Sequence, residues 1–309
     1  MRSPQLLKDQ RQRATWKGHL ALLGQTAIIC GGYVFGRKAA QHFDPFLLTG
    51  LRAVLSGLIY LMLLPFLRRS GTFTTSWAAL EPTWRQKLWR LALLGIFFNQ
   101  FLFNAGLRYT TAATTALIYA LTPSVVFWLS VWVFRRERFH WRKVAGLVAA
   151  YTGVVLALWH NLLHAAHGWG WLAILAAVGF WAWYLQISPP VVQTIGPLGT
   201  TALVMILGAF LHLPTLILGL WRQEWATLSI AAWASLAYLV LGMSVVAYLF
   251  LSLGLRYLTP TRTALYINLQ PIGTLVLAAA LGQEPLSWQL ALATLLTTAG
   301  LFLFSDEGR

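Results

Sequence analysis

The sequence predicts an all-α integral membrane protein, with ten transmembrane helices arranged as two inverted five-helix repeats. Three observations predict it. The composition is 58% hydrophobic and only 10% charged. Apolar segments long enough to cross a bilayer follow one another along nearly the whole chain. One motif occurs twice, starting near Gly106 and again near Gly254. Soluble domains carry roughly a quarter charged residues; a soluble chain of 309 residues could not hide this much apolar surface, whereas lipid can.

The apolar segments run over about 18–37, 45–66, 88–107, 111–134, 143–160, 169–188, 197–220, 230–255, 259–281 and 287–304. At a rise of about 1.5 Å per residue, about twenty residues cover a hydrocarbon core of about 30 Å. Most segments reach that length; the last is short and has to stand nearly upright. Gly, Ala, Ser and Thr recur inside the segments, where they let helices pack closely. Met1–Lys17 is polar and basic, and the apolar run after it has no small-x-small cleavage site, so it reads as a retained first span. The loops are mostly short. The longest, Arg68–Arg90, has no room for a soluble domain. The chain therefore divides into a basic tail at 1–17, a first repeat at 18–160, a second at 169–304 and a short tail at 305–309.

The net charge of +15 and the 16 Trp fit the same picture. Trp favours the membrane interface, and Lys and Arg collect in cytoplasmic loops. With the N-terminus inside, 18 of the 23 Lys and Arg fall in inside segments, four (Arg37, Lys38, Arg108 and Arg222) fall outside, and Arg52 lies within span two. The expectation is a multi-pass protein of the bacterial inner membrane with both termini in the cytoplasm. The basic residues are spread over several loops, and no nucleic-acid motif appears.

The repeat is the most informative feature. Ala105-Gly-Leu-Arg-Tyr-Thr-Thr-Ala-Ala-Thr-Thr-Ala-Leu117 matches Leu253-Gly-Leu-Arg-Tyr-Leu-Thr-Pro-Thr-Arg-Thr-Ala-Leu265. The register continues through Leu121/Leu269 and Pro123/Pro271 and, after a one-residue deletion, through Glu137/Glu284, Trp141/Trp288 and Gly153/Gly300. Composition supplies Leu and Ala matches readily, but not the Arg-Tyr pair, the Pro and the Glu in register. Five crossings separate the copies. Arg108 and Arg256 then face opposite sides, so the halves are inverted, an arrangement suited to alternating access around a central site.

These residues resemble the EamA repeat of the drug/metabolite transporter superfamily. The second copy, with Gly282-Gln-Glu284-Pro-Leu-Ser-Trp288, is close to that pattern, and Asp44-Pro45 followed by Arg52 fits the start of a repeat. The resemblance covers about residues 18–304. It implies a ten-span secondary carrier exporting amino acids and related metabolites; drug or nucleoside efflux is the alternative on the same fold.

Candidate site residues follow from polarity inside the spans. A charge there costs about 2.5–3.5 kcal/mol on insertion scales, so Arg52 needs a partner or a wet cavity. It serves either as counter-charge to a substrate carboxylate or ion-pair gate, or as a side chain snorkelling to the interface. Asn99, Gln100 and Asn104 in span three, Tyr119 and Thr122 in span four, and Tyr266, Asn268 and Gln270 in span nine either line a cavity or bond helix to helix. Tyr119 and Thr122 are spaced i, i+3, and Tyr266 and Gln270 i, i+4, so each pair is expected to share a helix face. Pro123 and Pro271 each free a carbonyl at matching places in the two halves. Trp181, Trp183 and Tyr184 either stack on a ligand or pack and anchor. Glu137 and Glu284, at equivalent span ends, are gating charges or helix-end contacts.

No carboxylate falls at the middle of a span, which argues against coupling through a buried acid. Cys30 is the only cysteine, excluding an intramolecular disulfide or a Cys-based metal site. His160, His164 and His167 are spaced for one helix face but lack an acidic neighbour, and read as a solvated loop. No phosphate-cradling loop or catalytic triad appears. The chain thus reads as a transporter without metal or cofactor, and not as an enzyme. Its implied partners are a small-molecule substrate and the lipid bilayer, a homodimer being compatible with the reading, and no nucleic acid. A lipid-acting enzyme or a channel-like subunit is the alternative of another class.

Overall fold

The computed structural model describes residues 4–69, 77–136, 146, 148–149, 151–153, 155–156, 168–283 and 288–305. The described residues are overwhelmingly helical. Seven helices are long and apolar enough to cross a membrane: Thr15–His42, Pro45–Phe66, Pro82–Leu107, Ala112–Val133, Trp169–Ile195, Ile230–Tyr257 and Pro260–Ala280. They correspond to spans one to four, six, eight and nine. Span seven is a bent pair, Pro197–Leu211 and Leu213–Arg222, turned by 49°. The bend falls at His212, just ahead of Pro214, which cannot donate to the preceding turn. Span ten is the helix Trp288–Ser305, whose apolar stretch Ala291–Gly300 is short. Span five lies almost wholly outside the described residues, as do Glu137, Glu284 and the three loop histidines.

Span six departs from expectation. The apolar segment is expected to end near residue 188, yet the helix runs through Pro189 and Pro190 to Ile195 and turns at Gly196, whose φ is 89°. Pro190 has no N–H for the carbonyl of Gln186. Arg136 Nη1 donates to that carbonyl instead, at 3.0 Å. The Gln186 side chain donates to the Val126 carbonyl at 2.9 Å and to Ser130 Oγ, fixing the same turn to span four. A proline is tolerated inside a span when neighbouring groups satisfy the backbone it frees.

The two halves repeat one another's local structure. Span three widens into a π-helix at Ala92–Phe98 and span eight at Leu239–Val246, in the register of the sequence repeat. Span four breaks after Tyr119 and restarts at Thr122; span nine tightens to a 3-10 turn at Tyr266–Leu269 and restarts at Gln270. Thr111 and Thr259 cap these two spans, their hydroxyls accepting from the backbone N–H groups of Thr114 and Arg262 at 3.1 and 3.3 Å.

Packing between spans is duplicated too. Span one lies on span eight as span six lies on span three, and spans two and seven pair with each other. A Cβ on Gly170 would meet Tyr109 Cβ at 2.8 Å, and one on Gly18 would meet Tyr257 Cβ at 3.1 Å. Both close approaches depend on glycine. Thr49 Oγ1 accepts from Asn104 Nδ2 at 3.0 Å, and the equivalent Thr201 shares a 2.7 Å hydrogen bond with Ser252.

Candidate functional site

Near the middle of the fold, side chains from both halves enclose a cavity of about 40 Å³, room for a few water molecules. Span one contributes Gln25, Ile29 and Tyr33, spaced four residues apart so that one helix face turns inward. Span two contributes Arg52, span three Asn99 and Phe103, and span four Tyr119. The second half adds Trp181, Met243, Tyr248, Ile267 and Gln270.

Arg52 is the one cationic side chain of this wall. It is 1% exposed, so it does not snorkel. Its Nε donates to Ser244 Oγ at 2.8 Å, and its guanidinium lies 5.9 Å from the centre of the Phe103 ring. Nη1 has no hydrogen-bond partner. Among the described residues no carboxylate approaches within ion-pair distance of it. Ser244 belongs to the π-helical stretch of span eight, which is how a helix set apart in sequence brings a hydroxyl to span two.

The π-helices supply backbone acceptors as well. Tyr248 donates to the Gly95 carbonyl at 2.9 Å, His212 Nε2 lies 3.0 Å from the Ile96 carbonyl, and Tyr60 donates to the Val245 carbonyl at 2.7 Å. Wide helical turns leave carbonyls off the regular ladder, and π-bulges recur at functional sites.

Asn99 holds three spans together: Nδ2 donates to the Tyr119 hydroxyl at 2.8 Å and to the Ala177 carbonyl at 2.9 Å. Tyr33 donates to Gln270 Oε1 at 2.9 Å, bridging spans one and nine. The rings of Tyr33, Phe103 and Tyr119 contact one another at centroid distances of 5.6–5.9 Å. Trp181 stacks on Tyr184 at 5.1 Å, with 3° between the rings, and meets Tyr248 edge-on at 5.6 Å.

Of the residues singled out by sequence, Arg52, Asn99, Tyr119, Trp181 and Gln270 thus come together at the cavity. Tyr184 stands behind Trp181. Gln100 is buried beside the Tyr248 hydroxyl, without a hydrogen bond of good geometry. Asn104 bonds span three to span two through Thr49. Asn268 is buried away from the cavity lining.

Of the two expected face pairs, Tyr119 and Gln270 line the cavity, whereas Thr122 and Tyr266 do not. The Thr122 hydroxyl turns back to the Tyr119 carbonyl, the acceptor that Pro123 leaves without its helical donor. Tyr266 does not join Gln270; it pairs with His19 of span one, because a 3-10 turn advances about 120° per residue and removes the i, i+4 alignment of an α-helix. Around Pro271, span one covers the irregular backbone: Thr26 donates to the Tyr266 carbonyl at 3.3 Å, and Cys30 approaches the Gln270 carbonyl at 3.6 Å. Trp183 packs edge-on against Phe134 at 5.9 Å, outside the cavity.

Sequence reasoning passed over Gln25, Tyr33 and Tyr248. Gln25 carried a signal, a lone amide in an apolar run. Tyr248 carried another, being the repeat mate of Gln100. Tyr33 had none beyond its helical spacing from Gln25.

The run of long apolar helices defines a multi-pass α-helical membrane protein. The EamA-like transporter family matches the chain twice, over residues 16–159 and 168–306, and the chain belongs to that family of membrane transporters. It is 28% identical to the uncharacterized transporter YyaM of Bacillus subtilis (strain 168) over 199 residues, 62% of this chain and 64% of that protein, under two thirds of its length. An uncharacterized transporter of Archaeoglobus fulgidus is 26% identical over 296 residues, covering 93% of this chain and 96% of that one. A solved crystal structure at 20% identity superimposes with a TM-score of 0.66 over 96% of this chain and 98% of the other, a likeness of fold alone.

Proposed function

We propose that the protein is a secondary carrier exporting small metabolites, such as amino acids, across the bacterial inner membrane by alternating access. In this reading the five-span halves 18–160 and 169–304 are inverted in the bilayer, and both termini are cytoplasmic. One observation carries it. The cavity lies between the two halves, takes side chains from both, and holds a buried cation within a wall of aromatic rings. Ligand pockets commonly measure about 300–1,000 Å³, so the present 40 Å³ must widen to admit a metabolite. Duplicated helix breaks on either side of the cavity give each half an equivalent place to flex.

Cells expressing the protein are loaded with dipeptides that hydrolyse to amino acids, and metabolites inside and outside are followed by mass spectrometry. Selective loss of a few compounds with the intact protein, absent with membrane-inserted Arg52→Ala, supports the reading. Equal profiles in cells with and without the protein refute it. Orientation is tested in a Cys30→Ala background: a cysteine at His164 is expected to react with an impermeant thiol reagent in intact cells, and one at Arg138 is not.

A further inference from the structure

We propose that the cargo is a small organic anion, a compound with a carboxylate or similar compact oxyanion on an apolar or aromatic body, and that Arg52 receives its charged group. This deepens the transport reading and rests on it for the word cargo. The first ground is charge balance at the central cavity. A guanidinium 1% exposed keeps Nη1 without a protein partner, and its Nε meets only a neutral serine. Among the described residues the cavity wall holds no carboxylate. A buried charge is stabilised only when paired and hydrogen-bonded, and an oxyanion is the ligand that does both, forming charge-assisted bonds with the planar fork of an arginine. Phe103, Tyr119 and Trp181 offer ring faces for the apolar body. An amino acid fits the same scheme: its carboxylate on Arg52, its ammonium over the aromatic faces. A compound whose only charge is positive does not.

The second ground is a separate cleft of about 390 Å³ at the far end of span one, lined by Phe35, Arg37, Lys38, His42, Thr111 and Gln283. It is bounded by spans one, four and nine, which also wall the central cavity, and Arg37 stands one helical turn beyond Tyr33. Among the described residues this lining, too, carries basic side chains and no acid. The nearby carboxylate of Asp44 is engaged 3.5 Å from Arg222. In the proposed orientation this cleft is the outer mouth. A basic mouth concentrates anions and repels cations.

The test is equilibrium binding to the purified full-length protein in lipid nanodiscs, read by Trp181 fluorescence, with Trp181→Phe as the signal control. The probes share one body: 3-phenylpropionate, phenylalanine, 3-phenylpropionamide and phenethylamine. The two carboxylates are expected to bind at least about ten-fold more tightly than the amide and the amine. Arg52→Gln is expected to remove that preference, and Arg52→Lys to retain part of it. Lys38→Gln is expected to slow uptake of 3-phenylpropionate into proteoliposomes while leaving its equilibrium binding unchanged. Equal binding of amide and carboxylate, tighter binding of the amine, an unaltered preference in Arg52→Gln, or no binding of any probe overturns the proposal. Export in cells separates the two readings. Export of amines or neutral compounds without carboxylate preference leaves a carrier and removes the anion. Arg52-dependent carboxylate binding without flux leaves the anion site and removes the carrier.

Discussion

Asn99 is the structural tie most open to a quantitative test. Its Nδ2 bonds both the Tyr119 hydroxyl at 2.8 Å and the Ala177 carbonyl at 2.9 Å, joining spans three, four and six beside the cavity. Interhelical hydrogen bonds in membranes average about 0.6 kcal/mol and reach about 1.7. Asn99→Ala loses two of them and is expected to destabilise by about 1–3 kcal/mol. Tyr119→Phe loses one, for about 0.6–1.7 kcal/mol. In a double-mutant cycle the shared bond is lost once, so the pair should fall short of additivity by about 0.6–1.7 kcal/mol. Reversible SDS unfolding of the purified protein measures each value, and flux in proteoliposomes is followed in parallel. Asn104→Ala serves as comparison. It loses the single bond to Thr49 away from the cavity lining and should destabilise without changing substrate selectivity. Additivity of Asn99→Ala and Tyr119→Phe within about 0.3 kcal/mol would refute the tie.

Further outcomes follow from the same contacts. Arg136→Ala should cost about 1–2 kcal/mol by uncapping the Gln186 carbonyl; in a Pro190→Ala background, where the helix recovers its own donor, unfolding should show less than half that loss, and an undiminished loss would be contrary to the capping role. Gly170→Leu and Gly18→Leu should wedge spans six and one from their partners, costing about 1–3 kcal/mol or the folded peak on gel filtration. Gly179→Ala, with nothing within 4 Å of the added methyl group, should be neutral or slightly stabilising in the same assay. Tyr33→Phe should cut the bond to Gln270 and loosen the contact between spans one and nine, seen as faster thiol labelling of buried Cys30.

The membrane class, most span positions and the repeat were legible because they rest on quantities local to the chain: run length of apolar residues, low charge, and residues matching in register. Arg52 was legible for the same reason, since a charge within a span is conspicuous whatever surrounds it. Its surroundings were not. The direction of a side chain depends on the helical phase, and the π stretches of spans three and eight and the 3-10 turn of span nine each shift that phase without leaving a mark in the apolar pattern. That is why Tyr266 parts from Gln270; Tyr33, on the unbroken helix of span one, reaches the cavity because packing turns that face inward. Pro189 and Pro190 make the same point. Span six is expected to end near residue 188, and the helix continues through the pair with Arg136, from beyond the end of span four, satisfying the carbonyl that Pro190 frees. By itself, then, the sequence determined the all-α membrane class, the duplication and the isolated basic charge. The tertiary structure decided which polar groups meet, because meeting depends on helix phase and on backbone acceptors satisfied across spans.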